Sequence, residues 1–505
     1  MKIYLINPEY PLSFWDFNFC RDLDGSEYPH YSLALPTLAA LTPEQHSIEI
    51  CDENVQPIDF DVDADIIAVT AYITQKERAI EIANRFKQRG LIVVLGGPIV
   101  DLNNRQEFLK QFDVVFQGEA EYTWPQFLGD YVQGGHQTIY HQQDYVDMND
   151  SPLPRYTALD LNKYSSAIVE TSRGCPYSCE FCEIPIRLGK KSRMKSINQV
   201  MAEVNELYSQ GADSIFFIDD HFIGQRRRAI ELLESLAEFA KSVDYAIYFT
   251  CQISINFSKD DELLALMNRA NFKRVFIGLE TPRRNIAGFN KKSKNLETSL
   301  AAAVRKIHSY GIIVWAGLIV GLDSDDREIF TDQMALIQSS SIPIAMIGIL
   351  QAIPNTPLYS RLDDDGRVKS HEIGGIRGGY QGQINSNIVM QFSDGMTEDE
   401  LVKGYQKLIT RAYGYLAFAK RLLGVLRQCK SEIHVSPRAL TAKEKNIIAK
   451  TLRYYLLSFD LRRPFLFLSM CAASMMINPR RIDQVLLHLI VYKHFREYYA
   501  RVAQQ

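Results

Sequence analysis

"TSRGCPYSCEFC", residues 171–182, sets Cys175, Cys179 and Cys182 within eight residues of one another, in a chain of 505 residues that has only eight cysteines. The flanks give this stretch its place. Before it runs "SAIVETS" (166–172), a β-branched strand pattern; after it comes "SINQVMAEVNELYSQG" (196–211), where Val200, Val204 and Leu207 recur at helical spacing. The same strand–helix alternation continues through "DSIFFIDD", "AIYFTCQIS", "RVFIGLE", "IIVWAGLIVG" and "IAMIGILQA". Six βα units over 165–362 predict a partial (β/α)6 barrel rather than a complete eight-stranded one. Barrels of this kind do their chemistry at the carboxyl ends of the strands, so the cysteines lie at the mouth.

Upstream, "KIYLINP", "SIEICDE", "DIIAVTAY", "LIVVLGG" and "DVVFQGE" read as five near-continuous apolar strands, the pattern of a parallel sheet covered on both faces. The helix between the third and fourth buries Ala79, Ile82, Ala83 and Phe86. A doubly wound, flavodoxin-like α/β domain is expected over 1–145, followed by a proline-bearing linker over 146–164. Downstream, the glycines of "EIGGIRGGYQGQ" mark a loop over 363–396. "TEDE" (397–400) then has the form of a capping box and opens an α-helical domain over 397–505, with Leu401, Tyr405, Leu408 and Ala412 as its first apolar stripe.

A net charge of −4 gives no general attraction to nucleic acid. The first residues form a strand with no secretion signal, and scattered cysteines are not a disulfide framework, so a cytoplasmic protein is expected. No apolar run reaches the roughly 18 residues needed to span a bilayer. The longest, "PFLFLSMCAASMMI" (464–477), reads as a buried or interfacial helix, with membrane contact at most peripheral. The tyrosines Tyr454, Tyr455, Tyr498 and Tyr499 and the stretch near Phe465 read first as core and second as a lipid-facing surface.

For the three cysteines, a zinc site would need a fourth ligand that the neighbourhood does not offer. Inert thiols on a loop would be open to oxidation. Three thiolates on three irons of a 4Fe–4S cluster, with the fourth iron open to a small molecule, fit the spacing better. That Cys-x3-Cys-x2-Cys pattern, with Phe181 before its last cysteine, resembles the radical S-adenosylmethionine (SAM) family. The resemblance implies a SAM-cleaving cluster and a 5′-deoxyadenosyl radical. It also implies SAM contacts from Phe181 in the cysteine loop, Asp219 and Asp220 after the second strand, Glu280 after the fourth, and Gly317 and Ile319 on the fifth. A helix N-cap is the alternative role for the aspartates. A surface or salt-bridged residue is the alternative for Glu280, and plain packing for the fifth-strand motif.

A flavodoxin-like domain ahead of such a barrel resembles the cobalamin-binding branch, the class B methyltransferases. It is similar to the group with an added helical domain that includes hopanoid C-2 methylases. By that resemblance Asp52, Asn54, Thr70, Gly96, Gly97, Gly118 and Glu119 are cobalamin contacts, and Tyr72 lies near the lower face of the corrin, with a packed strand-end residue as its alternative. Where many cobalamin proteins carry Asp-x-His-x-x-Gly, this chain has Asp52 and then Asn54, which implies cobalt without a histidine ligand from that loop. The expected activity is methylation of an unactivated carbon of a lipid or other small molecule, with a one-electron donor such as a flavodoxin or ferredoxin. The alternative is cobalamin-associated radical rearrangement or oxidation. The N-terminal domain has only Cys20 and Cys51, too few for a methylthiotransferase. A non-enzymatic cobalamin sensor would not need the cysteine loop.

Overall fold

The computed structural model describes residues 1–283, 298–368, 396–429 and 440–504. Most of the glycine-rich loop expected over 363–396 lies outside these residues. The first sheet contains β1 (Lys2–Asn7), β2 (Ser47–Asp52), β3 (Ile66–Thr70), β4 (Ile92–Gly96), β5 (Val114–Gln117) and β6 (Ile139–His141). They run parallel in the order β2-β1-β3-β4-β5-β6, a doubly wound arrangement. The helix Lys76–Gln88 covers one face with Ala79, Ile82, Ala83 and Phe86, all buried. β6 adds a strand to the five read from the sequence. It has only three residues, one buried, so its pairing to β5 rests on backbone hydrogen bonds more than on apolar pattern.

The second sheet holds β7 (Ala167–Val169), then, beyond a two-stranded ribbon of β8 (Ser172–Arg173) and β9 (Arg193–Met194), β10 (Ser214–Phe217), β11 (Tyr248–Gln252), β12 (Phe272–Glu280), β13 (Ile313–Val320) and β14 (Ala345–Ile349). The six long-range strands are parallel and follow one another in chain order from β7 to β14, the expected open six-stranded barrel. Alternation along β12 and β13 separates side chains buried under the helices from a second row, Phe276, Gly278, Glu280, Trp315, Gly317 and Ile319, on the lumen face.

Six strands cannot close, and both outer edges are capped by tyrosine hydroxyls. At β7, Tyr31 accepts from Ile168 N–H and donates to its carbonyl, both at 3.0 Å. At β14, Tyr413 does the same for Ala345 (3.0 and 2.8 Å), while Tyr499 accepts from Ile347 N–H at 3.0 Å and Tyr405 donates to its carbonyl at 2.8 Å. The β14 caps come from the helices Glu398–Ala412 and Ile482–Val502 and the residue after the first of these. Thr397 and Glu400 form the capping box read from the sequence, and Leu401, Tyr405, Leu408 and Ala412 are buried.

Two expectations change. Residues 14–20 do not stay with the first domain: Trp15 packs on Phe276 of the barrel at 5.2 Å, and the Phe14 carbonyl sits 3.1 Å from His494 Nε2 of the last helix. Tyr455, Tyr498 and Tyr499 are core, at most 2% exposed, while Tyr454 is half-buried and Phe465 is 75% exposed.

Removing a hydroxyl from an edge cap strands a buried backbone pair, which costs about 1–3 kcal/mol. Tyr413→Phe is therefore expected to lower the thermal melting midpoint followed by far-UV circular dichroism. A melting curve identical to the parent's would show that the β14 edge does not depend on this hydroxyl.

Candidate functional site

The cysteine loop leaves β8 and returns through β9, so the antiparallel ribbon pins both of its ends. At the start, Gly174 adopts φ +92°, and a Cβ there would lie 2.6 Å from the Lys191 carbonyl. Cys175 N–H donates to Gly189 O at 3.2 Å, and Cys182 N–H donates to Cys179 O at 3.2 Å. Further along, the Leu358 amide donates to Glu180 O at 3.0 Å, and Arg361 pairs with the Glu180 carboxylate at 2.5 Å. The segment after the sixth barrel strand thus braces the loop from outside. Phe181 packs with Ile319 on the small cluster around Leu322, Leu350 and Leu358.

Cys175 and Cys179 are 5% exposed, Cys182 more so, and none is in a disulfide. Among the described residues no three His, Cys, Asp or Glu side chains converge as they would on a single ion. In an iron–sulfur cluster each thiolate would meet a different iron.

Asp219, at the end of β10, sits beneath this loop. Its Oδ1 accepts from Thr171 N–H (3.1 Å), Thr171 Oγ1 (2.8 Å) and Ser172 Oγ (2.7 Å), while its Oδ2 is buried with no partner. An N-cap role is not what its oxygens do. The orphaned oxygen is suited to a cationic group such as the ammonium of SAM. Across the lumen, Gly278 and Gly317 are paired in register. A Cβ on Gly317 would come to 3.0 Å from the Phe276 ring. Glu280, past a register shift, takes φ +61° and folds its carboxylate over Gly278. Gln333, buried and absent from the sequence reading, donates to both Glu280 O (3.1 Å) and Ile319 O (2.9 Å) and so ties the ends of β12 and β13 together. Asp220 follows Asp219 and is half-buried.

A cavity of about 950 Å³ opens between the two sheets. Thr70, Tyr72, Gly96, Gly97, Gly118 and Glu119 all line it from the first domain. Glu170, Glu183, Ile186 and Arg187 line it from the barrel side. Gly97 has φ +92°, and a Cβ there would lie 2.8 Å from Thr70 Oγ1, so only glycine keeps this wall open. Such a chamber has room for a large planar group.

Asp52 and Asn54 are not on its wall. Asp52 accepts from Asn7 (3.0 Å), Asn54 (2.6 Å) and Tyr164 (2.9 Å). Asn54 Oδ1 accepts from the Tyr10 amide at 3.0 Å. Both side chains are spent on holding the strand end, and through it Tyr10, whose ring lies 6.1 Å from that of Tyr72 on the cavity wall.

Glu119 lines the chamber, but its carboxylate is occupied. It pairs with Arg173 of β8 at 2.8 Å and Arg193 of β9 at 3.0 Å, and it accepts from Gln142 (2.7 Å) and Val146 N–H (3.1 Å). Arg173 also meets Glu121 (2.7 Å) and Glu170 (2.8 Å). The first domain therefore grips the ribbon that carries the cysteines. No local sequence pattern links residue 119 to residues 173 and 193.

The radical SAM superfamily matches residues 169–332, a B12 binding domain 23–128, and a domain of unknown function (DUF4070) 356–505. The hopanoid C-2 methylase of Rhodopseudomonas palustris is 31% identical over 428 residues, covering 83% of this chain and 78% of that protein. An uncharacterized methyltransferase of Synechocystis is 31% identical over 423 residues, 82% of this chain and 77% of that one. In fold, the chain is similar to the cobalamin-dependent S-adenosylmethionine radical enzyme OxsB, with a TM-score of 0.60 at 16% identity over 99% of this chain and 80% of that one.

Two substitutions test the site's electrostatics. Burial alone would raise the Glu119 carboxyl, but Arg173, the Val146 amide and Arg193 hold it below its ordinary 4.5. Its stabilisation is full above that value and is lost as the pH falls. Glu119→Gln is expected to destabilise by about 3 kcal/mol at pH 7, with the gap to the parent narrowing below pH 4.5; an equal gap at both pH values would refute an ionic clamp. Burial pushes Asp219 the other way, from 3.8 up to about 6, against the hydrogen bonds from Ser172 and Thr171. Its protonated form favours folding, and that contribution is lost as the pH rises through 6. Asp219→Asn should therefore melt higher than the SAM-free parent at neutral pH, by an amount equivalent to about 3 kcal/mol, and equal it near pH 4. A variant less stable than the parent at pH 7 would show that Oδ2 is not an unsatisfied charge.

Proposed function

We propose that this chain, which belongs to the B12-binding methyltransferase branch of the radical SAM superfamily, methylates an unactivated carbon of a largely apolar, lipid-like small molecule. The observation that carries the reading is the shared chamber: Thr70, Gly96 and Gly97 of the cobalamin-type domain line the same cavity as Glu183, Ile186 and Arg187, just after the cysteines. The hopanoid C-2 methylase, a relative acting on a lipid, supports the substrate class.

Cys175, Cys179 and Cys182 would hold the 4Fe–4S cluster, and the glycine-lined wall with Thr70 and Tyr72 would hold cobalamin. When bound, these groups supply a 5′-deoxyadenosyl radical from SAM and a transferable methyl group. The chain's own residues do the positioning. Asp219 Oδ2 offers a buried acceptor for the SAM ammonium. Gly278 and Gly317 keep the lumen floor low, and Phe181 and Ile319 pack the space beside the loop. Phe276 and Trp315 on the lumen face exclude water from a site where a carbon radical would otherwise be quenched. The electron enters from a one-electron donor of the flavodoxin or ferredoxin type.

The test is anaerobic turnover of protein reconstituted with iron, sulfide, cobalamin and SAM, supplied with a low-potential one-electron reductant and offered polycyclic lipids. A product heavier by one methylene, with both 5′-deoxyadenosine and S-adenosylhomocysteine released, is expected. Cys179→Ala should abolish all three and deplete the bound iron. Deoxyadenosine without S-adenosylhomocysteine would reject methyl transfer in favour of rearrangement or oxidation.

A further inference from the structure

The helix Arg462–Ile477 carries no charged side chain from Pro464 onward. One stripe, including Leu466, Phe467, Met470 and Ala473, is buried against the rest of the helical domain. The opposite stripe, Leu461, Phe465, Leu468, Ala472 and Met475, spaced by three and four residues, faces outward, with Phe465 75% and Leu468 57% exposed. The preceding helix, Ala442–Leu456, and the turn after it extend the same surface through Leu452, Leu456, Leu457 and Phe459. Among the described residues, ten of the nineteen large exposed hydrophobics fall between 452 and 477. Monomeric proteins rarely leave so concentrated an apolar surface to water.

The charge around it has one sign. Residues 440–481 contain eight Lys and Arg against two acidic residues, in a chain whose net charge is −4. Both acids are used locally: Glu444 accepts from the Thr441 amide at 2.8 Å as its helix cap, and Asp460 pairs with Arg462 at 2.7 Å. Lys443, Lys445, Arg453 and Arg480, in the same stretch of chain, are exposed. An isologous dimer through this face would set it against its own copy and bring like charges together. No helix of the described residues is long and apolar enough to cross a membrane. Between Pro464 and Ile477 lie fourteen uncharged residues, a length of about 21 Å, suited to lying in the plane of an interface.

We propose that this face of the C-terminal helical domain docks the enzyme on the surface of an anionic phospholipid bilayer, with the exposed leucines and phenylalanines entering the acyl boundary and the cations meeting the headgroups. The inference stands on this surface alone and is separate from the reading of the substrate, because it concerns vesicles that contain no methyl acceptor.

The full-length protein is sedimented with phosphatidylcholine vesicles and with mixed phosphatidylcholine–phosphatidylglycerol vesicles, at low and high salt. Binding to the anionic vesicles is expected to exceed binding to the neutral ones by roughly tenfold or more and to weaken with salt. Leu457→Glu with Phe459→Glu and Phe465→Glu should remove it, with circular dichroism, melting midpoint and iron content unchanged because all three side chains are exposed. Absence of binding to anionic vesicles, or binding that survives the triple substitution, would overturn the proposal. So would a concentration-dependent dimer in sedimentation equilibrium that the same substitutions dissolve, which would make the face a self-interface.

Discussion

A parallel sheet of six strands has two bare edges, and the pairing of those edges by tyrosine hydroxyls is the constraint on which the molecule is arranged. A strand edge presents an N–H and a C=O from every second residue. A phenolic hydroxyl can accept one bond and donate another, so Tyr31 satisfies both groups of Ile168, with Tyr156 a second, longer donor at 3.5 Å, and Tyr413 satisfies Ala345. Ile347 is shared between Tyr499 and Tyr405. Tyr31 arrives from the first domain, and the other three from the C-terminal helices. Satisfying the edges therefore also fixes both flanking domains on the barrel. The segment 14–19 threads between them, placing Trp15 and Phe17 against Phe276 and Trp315, where missing strands would otherwise have closed the lumen.

Once the β7 edge is fixed, the cysteine loop inherits that order. Thr171 and Ser172 follow β7 and are held by Asp219, and the next residue, Arg173, enters the ribbon that Glu119 grips through its two arginines. Burying five charged groups together is tolerable only because each faces an opposite partner within about 3 Å. Radical chemistry needs two cofactor-bearing modules in a fixed relation. Here the relation is set by an ion-pair hub rather than by a flexible linker.

Much of this was legible in the sequence wherever the signal is local. The six barrel strands, the capping box at Thr397 and the helix faces at Ala79 and Val200 follow from periodicity and caps, and both survive into the fold because tertiary packing uses the same apolar residues. β6, with three residues, and the β8–β9 ribbon, with two in each strand, are too short to carry a pattern. The tyrosine caps and the Glu119 hub join residues separated by dozens to more than a hundred positions, and nothing in either neighbourhood announces the partner. Asn54 illustrates a different limit. Its place in a motif pointed to the cofactor, yet an amide can be spent on its own strand end, and here it holds Tyr10 instead. Phe465 lies in an apolar run that reads as core because composition does not reveal which stripe of such a run finds a partner.

Glu280 shows how the lumen uses strain. A left-handed φ is disfavoured for any residue bearing a Cβ, by about 1–2 kcal/mol, and glycine would adopt it without strain. The chain keeps glutamate there, lets β12 slip register against β13, and ties the two strand ends with a buried glutamine that bonds both carbonyls. The result is a carboxylate turned back over Gly278, on the floor of the lumen, instead of one directed along the strand. Strain of this kind persists only where the surroundings over-determine it, and the inference runs from the outlier to the need. Glycine at this position would relieve the backbone cost but would leave no carboxylate above the paired glycines of β12 and β13.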